Sequence, residues 1–315
     1  IIQIVEDMHE SHGINQILMP TIQGSDIWKI SDRYNTYGKE MLRIVDRNDK
    51  ELLYGPTNEE MITAIGKHFI KSYKNLPRHF FHIQSKFRDE IRPRFGVMRA
   101  REFLMKDAYS FDKDEKSGEL TYERFFRLYL SIFDKLGLKI IPVRAPSGEI
   151  GGNLSHEFHL LLETGESKIF IDETYLNKNF SDFKISEIKS INSFTDELYE
   201  SLNINQSLTH QHSTELGHIF LFGTKYSKPF DFKIDHENDK IYPYMGSYGI
   251  GISRIPAAII EASNDDNGII WPKEVSPFDI ILINLTSNNE NTINFCDQLY
   301  AKLKANNYDV LLDDR

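Results

Sequence analysis

Lys86-Phe87-Arg88-Asp89-Glu90 and Arg99-Ala100-Arg101-Glu102-Phe103 stand on either side of an Arg-rich loop that holds Pro93 and Gly96. The flanking runs, 80–87 and 103–111, are dense in aromatic and aliphatic residues and predict two strands joined by that loop. Alternation along the first strand predicts Arg88 and Glu90 on one face. An arginine so placed can fork onto a phosphate or a carboxylate. A neighbouring glutamate can accept from an amino group such as that of adenine, and Phe103 on the return strand can stack on a base. Arg99 and Arg101 supply further cations for phosphates, and Asp107 follows on the same strand. A hairpin laced with cross-strand salt bridges would use the same residues, so this stretch alone leaves both readings open.

Working outward, 1–12 has helical spacing and Gly13 follows as its stop. Residues 17–19 read as a short strand ended by Pro20, and 41–45 with 51–54 as a hairpin about Asn48 and Asp49. Amphipathic helices are expected at 58–73 and 120–136, the second stopped by Gly137. Strands continue at 139–143, 158–162 and 217–223. A glycine-punctuated strand at 245–252 then runs into a helix at 254–262. Residues 177–213, rich in Asn, Ser, Asp and Lys, read as a small or loosely ordered insertion. The strands before 270 mostly lack long helical crossovers, which predicts an antiparallel sheet. From Trp271 a new unit begins, with a strand at 280–285, a helix at 291–306 and a strand at 309–312, a β-α-β opening. The expected class is therefore α+β, with one domain over 1–270 and a second starting at 271–315.

The 315 residues are 40% hydrophobic and 27% charged, an ordinary globular balance. No apolar run approaches the length that spans a bilayer. The single cysteine, Cys296, excludes an internal disulfide framework and a cysteine-based zinc site, and fits a reducing compartment. A net charge of −10 argues against a nucleic-acid partner, but its distribution argues the other way. Between Lys67 and Asp107 there are eleven Lys and Arg against four acids, which suits a phosphate-rich ligand held locally as well as it suits a solvated basic face. The chain opens on Ile1 inside a helical pattern and closes at Arg315 just after a strand pattern, so both ends read as cuts in a longer protein.

Three more constellations carry chemistry. Gly246, Gly249 and Gly251, followed by Arg254 at a helix start, let a backbone approach a flat ligand closely, or simply make a tight sheet-to-helix junction. Their spacing is not that of a dinucleotide fingerprint, and no Walker lysine is present. In Gly55-Pro56-Thr57-Asn58-Glu59-Glu60, Thr57 can N-cap the following helix with Glu60 completing a capping box. Ser155-His156-Glu157-Phe158, after Gly151 and Gly152, offers one histidine beside a strand, a pattern that is more often structural than catalytic.

The order of these pieces resembles motifs 1, 2 and 3 of the class II aminoacyl-tRNA synthetases: a helix and strand ending in Pro20, the Arg88 and Phe103 hairpin, and the glycine-rich strand ending in Arg254. Within that class the stretches 55–60, 86–111 and 155–158, and Glu215-Leu216-Gly217-His218-Ile219-Phe220 with Gly223-Thr224-Lys225-Tyr226-Ser227, are similar to the bacterial-type prolyl-tRNA synthetases. The likeness runs from Ile1 to Arg315 and is weakest across 177–213. It implies a class II antiparallel sheet flanked by helices, followed by the start of an α/β anticodon-binding domain, with the short 177–213 insertion in place of an editing domain.

The resemblance also implies residue roles. Arg88 would hold the α-phosphate and the substrate carboxylate together, and Arg254 the γ-phosphate. Glu90 would read the adenine amino group, Phe103 would stack on its face, Arg99 would contact a further phosphate, and Gly251 would border the ATP. Thr57, Glu59, Arg88 and His156 would bind proline, and Glu215 would hold Mg²⁺. The implied cofactors are ATP and Mg²⁺, and the implied partners are tRNA(Pro) and a second copy of the chain docked through motif 1, ending at Pro20, in the cytoplasm. Three positions depart from the family pattern: Asn58 stands where His is usual, Asn153 where Ser is usual, and Ser247 where Cys is common. Two alternatives remain at this level. One is a sister synthetase for threonine, serine, glycine or histidine, and the other is an inactive relative that only binds a partner.

Overall fold

The computed structural model describes residues 1–150, 152, 154–202, 208–313 and 315, which fall into two units, Ile1–Ala262 and Ser263–Arg315. Among the described residues of the first unit, nine strands form one sheet: β1 (Asn15–Gln16), β2 (Arg78–Phe87), β3 (Glu102–Asp112), β4 (Ile140–Arg144), β5 (Leu154–Leu161), β6 (Ser167–Ile171), β7 (Ser193–Thr195), β8 (Thr209–Gly223) and β9 (Tyr244–Gly251). The spatial order is β1-β2-β3-β9-β8-β5-β4-β7-β6. Neighbours are antiparallel except β1 with β2 and β4 with β7, which are parallel. The start of β8 also pairs with β6, so the last five strands close into a ring.

The two faces of the sheet have different partners. One is covered by the helix α3 (Glu115–Lys135), whose aromatic stripe of Tyr122, Phe125, Phe126, Tyr129 and Phe133 is buried. Phe125 stacks flat on Tyr248 of β9 at 3.7 Å, and Tyr129 packs on Phe158 of β5 at 5.2 Å. Such aromatic pairs add to the stabilisation from burial alone. Asp114 caps this helix in a box with Ser117, which explains why it begins before the expected residue 120. Helix α1 (Ile2–Ser11) joins this layer, with His9 against Phe81 at 4.8 Å.

The opposite face of β2 and β3 receives the helix α2 (Glu59–Phe69). Gly66 sits in the middle of that helix because a Cβ there would lie 2.8 Å from the Phe111 ring, so only glycine permits this close approach. Beside α2 lies a three-stranded sheet ordered 22–24, 51–54, 43–45, packed on Trp28, Tyr34, Met41 and Leu53.

Several expectations are corrected. The N-terminal strand is Asn15–Gln16, not 17–19; Ile17 donates its N–H to Phe81 but the chain then leaves the sheet toward Pro20. Helix α2 ends at Phe69, short of 73. The 177–213 stretch is not loose among its described residues. It contributes β7 to the sheet and two short helices, Ile185–Lys189 and Asp196–Ser201, and buries Phe180, Ile188, Ile191 and Phe194. The departure at Asn153 lies outside the described residues.

The second unit carries strands β10 (Ile280–Ile283) and β11 (Val310–Asp313), parallel and joined by the helix α4 (Glu290–Ala305), the β-α-β unit that the sequence predicts. Among the described residues no helix is long and apolar enough to cross a membrane.

Candidate active site

The α2 side of the sheet opens into a cavity of about 410 Å³, walled by β3, β8 and β9 and roofed by the Arg-rich loop. Strand alternation selects its lining. Phe103, Met105 and Asp107 come from β3, and Ser247, Gly249 and Gly251 from β9, while Lys106 and Tyr248 turn to the α3 side. Gly249 leaves a cavity wall without a side chain, since even a Cβ there would meet nothing closer than 3.8 Å. A Cβ at Gly251 would touch the stem of Arg254 at 3.4 Å.

Arg88, Glu90, Arg99, Phe103, Gly251, Arg254, Thr57, Glu59 and Glu215 all line this one cavity. The route differs from the expected one for Arg88 and Glu90. Strand β2 stops at Phe87, and both residues reach the cavity from the turn that follows, where Arg88 N–H bonds to Arg101 O and Glu90 N–H to Arg88 O. Nε and Nη2 of Arg88 donate to the Pro56 carbonyl at 3.4 and 3.2 Å, and its guanidinium lies over the Phe103 ring at 5.4 Å. Glu90 accepts from the Arg92 backbone N–H and from Arg99 Nε, both at 3.0 Å, and these bonds hold its carboxyl below the ordinary range. Arg99 also faces Glu166 at 3.5 Å.

Arg254 ties three pieces together. Its Nε donates to Met98 O in the loop, and its Nη1 donates to Glu215 O and approaches the Glu215 carboxylate at 3.5 Å. Arg88 and Arg254 therefore enter one cavity from different elements, the turn after β2 and the helix start after β9, an arrangement suited to gripping a chain of phosphates at two points.

The floor is a polar cluster. Thr57 does not cap the helix: the N-cap is Asn58, and the Thr57 hydroxyl donates instead to Glu59 Oε2 at 2.6 Å. The capping box with Glu60 is likewise absent, because Glu60 turns to Ser31 and Arg33. Glu59 is fully buried and accepts from Thr57, from Arg33 Nη1 at 3.1 Å and from Ser247 Oγ at 3.0 Å. Asn58, one of the departures, is also buried, and its amide reaches His82 Nε2 and Asp107 Oδ2. Burial alone would raise the Asp107 carboxyl, but Lys86 at 3.2 Å, His82 at 2.8 Å and the Tyr109 hydroxyl hold it well below the ordinary range.

His156 is the residue the structure does not bring to the cavity. It is 0% exposed on the α3 side of the sheet, with Nδ1 bonded to the Tyr122 hydroxyl at 2.7 Å and Nε2 facing Ile188 O at 3.0 Å. Burial lowers its pKa to about 3, so it stays neutral. The reason is parity: Ser155 and Glu157 of β5 face the β8 histidine, and His156 between them must point away. The histidine that lines the cavity is His218, with Nε2 at 2.7 Å from Ser155 Oγ and its ring stacked on Phe220 at 3.8 Å. Burial takes it down to about 4, so it is a neutral hydrogen-bonding group at pH 7. His218 and Glu215 differ by three positions and would fall on opposite faces of a regular strand, but a β-bulge between Glu215 and Gly217 brings both inward.

Glu157, Glu215 and His218 offer ligand atoms that lie within 4.8 Å of one another. Mg²⁺ takes oxygen ligands, so the carboxylates decide the fit. Glu157 Oε2 is already bonded to His159 at 2.6 Å, so Glu215, one-third exposed, is the carboxylate that would hold Mg²⁺. Glu166 is a cavity residue that the sequence did not point to, while Ser247 and His218 stood there only as a departure from the family pattern and as part of a motif, without a site role.

The tRNA synthetase class II core domain (G, H, P, S and T) matches residues 39–263. The chain is 51% identical to a proline–tRNA ligase of Bartonella henselae, over 100% of this chain and 75% of that protein, and 48% identical to one of Sinorhizobium medicae, over 99% and 74%. Among solved structures, prolyl-tRNA synthetase of Cryptosporidium parvum with L-proline and AMP superposes with a TM-score of 0.73 at 17% identity, covering 99% of this chain and 55% of that one. That of Giardia lamblia with prolyl-adenylate gives 0.76 at 19%, covering 99% and 56%. The chain spans little more than half the length of these solved proteins.

Proposed function

The chain belongs to the class II tRNA synthetases and, within them, to the proline–tRNA ligase family, and from that premise we propose that it activates L-proline with ATP and transfers the prolyl group to the 3′ end of tRNA(Pro). In the first step a proline carboxylate oxygen attacks the α-phosphorus and pyrophosphate leaves. In the second, a ribose hydroxyl attacks the acyl carbon and AMP leaves. The carboxylate is already ionised at pH 7, so activation requires alignment and charge neutralisation and no general base.

The residues suit those tasks. Arg88 Nη1, next to the two donors engaged by Pro56, serves the carboxylate and α-phosphate. Arg254 takes the γ-phosphate from its place at the helix start. Arg99 exchanges a glutamate partner for a phosphate, Glu90 accepts from the adenine amino group, and Phe103 offers its ring to the base, with the wall at Gly251 leaving room beside it. Mg²⁺ at Glu215, when bound, supplies neutralisation of the phosphate charge.

The observation that carries the choice of proline is the floor. A secondary ammonium has two N–H donors. The Thr57 hydroxyl has spent its own proton on Glu59 and is left as an acceptor, and Glu59 has three donors for about four lone-pair sites, leaving one for a cation. His218 closes the side of the pocket as a neutral group. A homodimer through the segment ending at Pro20, where Leu18 is 84% exposed, a cytoplasmic setting, and an anticodon-binding role for the unit that begins at Ser263 complete the proposal. The test is amino-acid-dependent ATP–pyrophosphate exchange on the intact protein with all twenty amino acids. Proline is expected to dominate; a higher rate with threonine, serine, glycine or histidine, or no exchange at all, refutes the reading.

A further inference from the structure

Beneath Glu59 lies a cation that the reaction does not touch. Arg33, in the short helix Arg33–Thr36, is 3% exposed, and its Nη1 lies 3.1 Å from Glu59 Oε2 and 3.2 Å from both oxygens of Glu60. Its guanidinium is boxed by the rings of Trp28, Tyr37 and Tyr226 at 5.1, 5.3 and 5.6 Å. Glu59 and Glu60 are both fully buried, so two carboxylates share one guanidinium out of contact with water. With both carboxylates ionised, the buried trio carries one net negative charge. Only Glu59 borders the cavity, while Glu60 is closed off by Ser31 and Arg33.

We propose that Arg33 is a positioning residue for substrate selection: it sets the charge of the Glu59–Glu60 pair so that the pocket presents one unbalanced negative charge, matched to the single positive charge of a secondary ammonium. The inference rests on the proline reading of the site. Remove Arg33 and two like charges face each other in a low-dielectric site, where a proton shared between them takes part of the charge of Glu59 and the acceptor site that the ammonium needs, and the pair titrates as a unit. Burial already pushes the Glu60 carboxyl up against the pull of Arg33. Remove the Glu60 charge instead, and Arg33 and Glu59 cancel, leaving no net attraction for the ammonium. Remove both, and one carboxylate again faces the substrate.

The other groups around this trio are Ser31, Tyr37 and Tyr226, Ser247 of β9, and, further along the floor, Lys86, Asp107 and Tyr109 of β2 and β3. Lys86 pairs with Asp107, Tyr109 donates to Asp107, Ser31 donates to Glu60, and the buried Tyr226 hydroxyl has no hydrogen-bond partner among the described residues. Arg33 is therefore the cation closest to the carboxylate pair among the described residues.

The experiment measures proline and ATP KM values in pyrophosphate exchange, from pH 6 to 9, for wild type, Arg33→Gln, Glu60→Gln and the double variant. Each single substitution is expected to raise the proline KM at least tenfold while the ATP KM stays within threefold. Arg33→Gln alone adds a pH dependence in which proline binding improves as pH rises and the shared proton leaves. The double variant recovers most of the loss and lacks that pH dependence. If Arg33→Gln folds poorly, Glu60→Gln alone still decides, because an unchanged proline KM overturns the charge-balance reading. A double variant worse than either single, or proline and ATP KM rising together, overturns it as well and marks the trio as structural. A wild type without proline-dependent exchange would defeat the functional proposal itself, whereas a proline-active wild type without compensation defeats only the role of Arg33.

Discussion

Replacing Arg88 with alanine separates what this side chain does for the fold from what it does for the reaction. In the fold it makes two contacts to the Pro56 carbonyl and lies over Phe103, partly buried. A charged hydrogen bond and a partly exposed cation–π contact together limit the loss of stability to about 2 kcal/mol. In the reaction, its fork meets the charge that develops as the carboxylate attacks the α-phosphorus. Losing one preorganised donor of that kind costs about 3–4 kcal/mol of activation, a factor of roughly 10²–10³ in kcat/KM. The lysine variant keeps the charge but loses the planar fork, and should fall between the two. The assay is proline-dependent pyrophosphate exchange, run beside a thermal melt that registers any loss of fold. If Arg88→Ala melts normally and exchanges pyrophosphate within about threefold of wild type, the assignment of Arg88 to the reacting groups is wrong.

Glu59→Gln removes the charge opposite the substrate nitrogen and is expected to raise the proline KM far more than the ATP KM; a proportional rise in both would mean that Glu59 only holds the head of α2. His156→Leu removes two buried hydrogen bonds, leaving the Tyr122 hydroxyl only Ile219 O and the Ile188 carbonyl only the Ile191 N–H, and should destabilise by about 1–3 kcal/mol. Both KM values should be unmoved, and a selective rise in the proline KM would return His156 to the pocket. The described residues between His156 and Glu215 are taken up by strands of the main sheet and short segments packed on it, which leaves no second core for an editing site. Because each lost methylene is worth only about 1–3 kcal/mol, some alanyl-tRNA(Pro) is expected to form and persist. Deacylation of preformed alanyl-tRNA(Pro) by the purified enzyme, faster than the enzyme-free rate, would contradict this.

What could be read along the chain was what depends on near neighbours. The hairpin 78–87 and 102–112, the helix that begins at Arg254, the stop at Gly13 and the β-α-β unit of the second half follow from alternation, helical spacing and turn residues, all set within a few positions. The motif residues then placed Arg88, Phe103 and Arg254 in one site, and the cavity contains all three. What the tertiary structure decided was pairing and phase. Which histidine faces the pocket depends on the register that sets His156 opposite Ile219, and on a bulge that brings Glu215 and His218 to the same side. No local pattern encodes either, since a one-residue shift inverts every side chain of a strand. Thr57 looked like a helix cap because its spacing to Glu60 fits one, but the Glu59 carboxylate, fixed by Arg33 and Ser247 from distant parts of the chain, is a stronger acceptor for its proton. Arg33 itself lies in a stretch with no motif, and its role follows only from folding that brings it against two buried carboxylates whose charge it must balance.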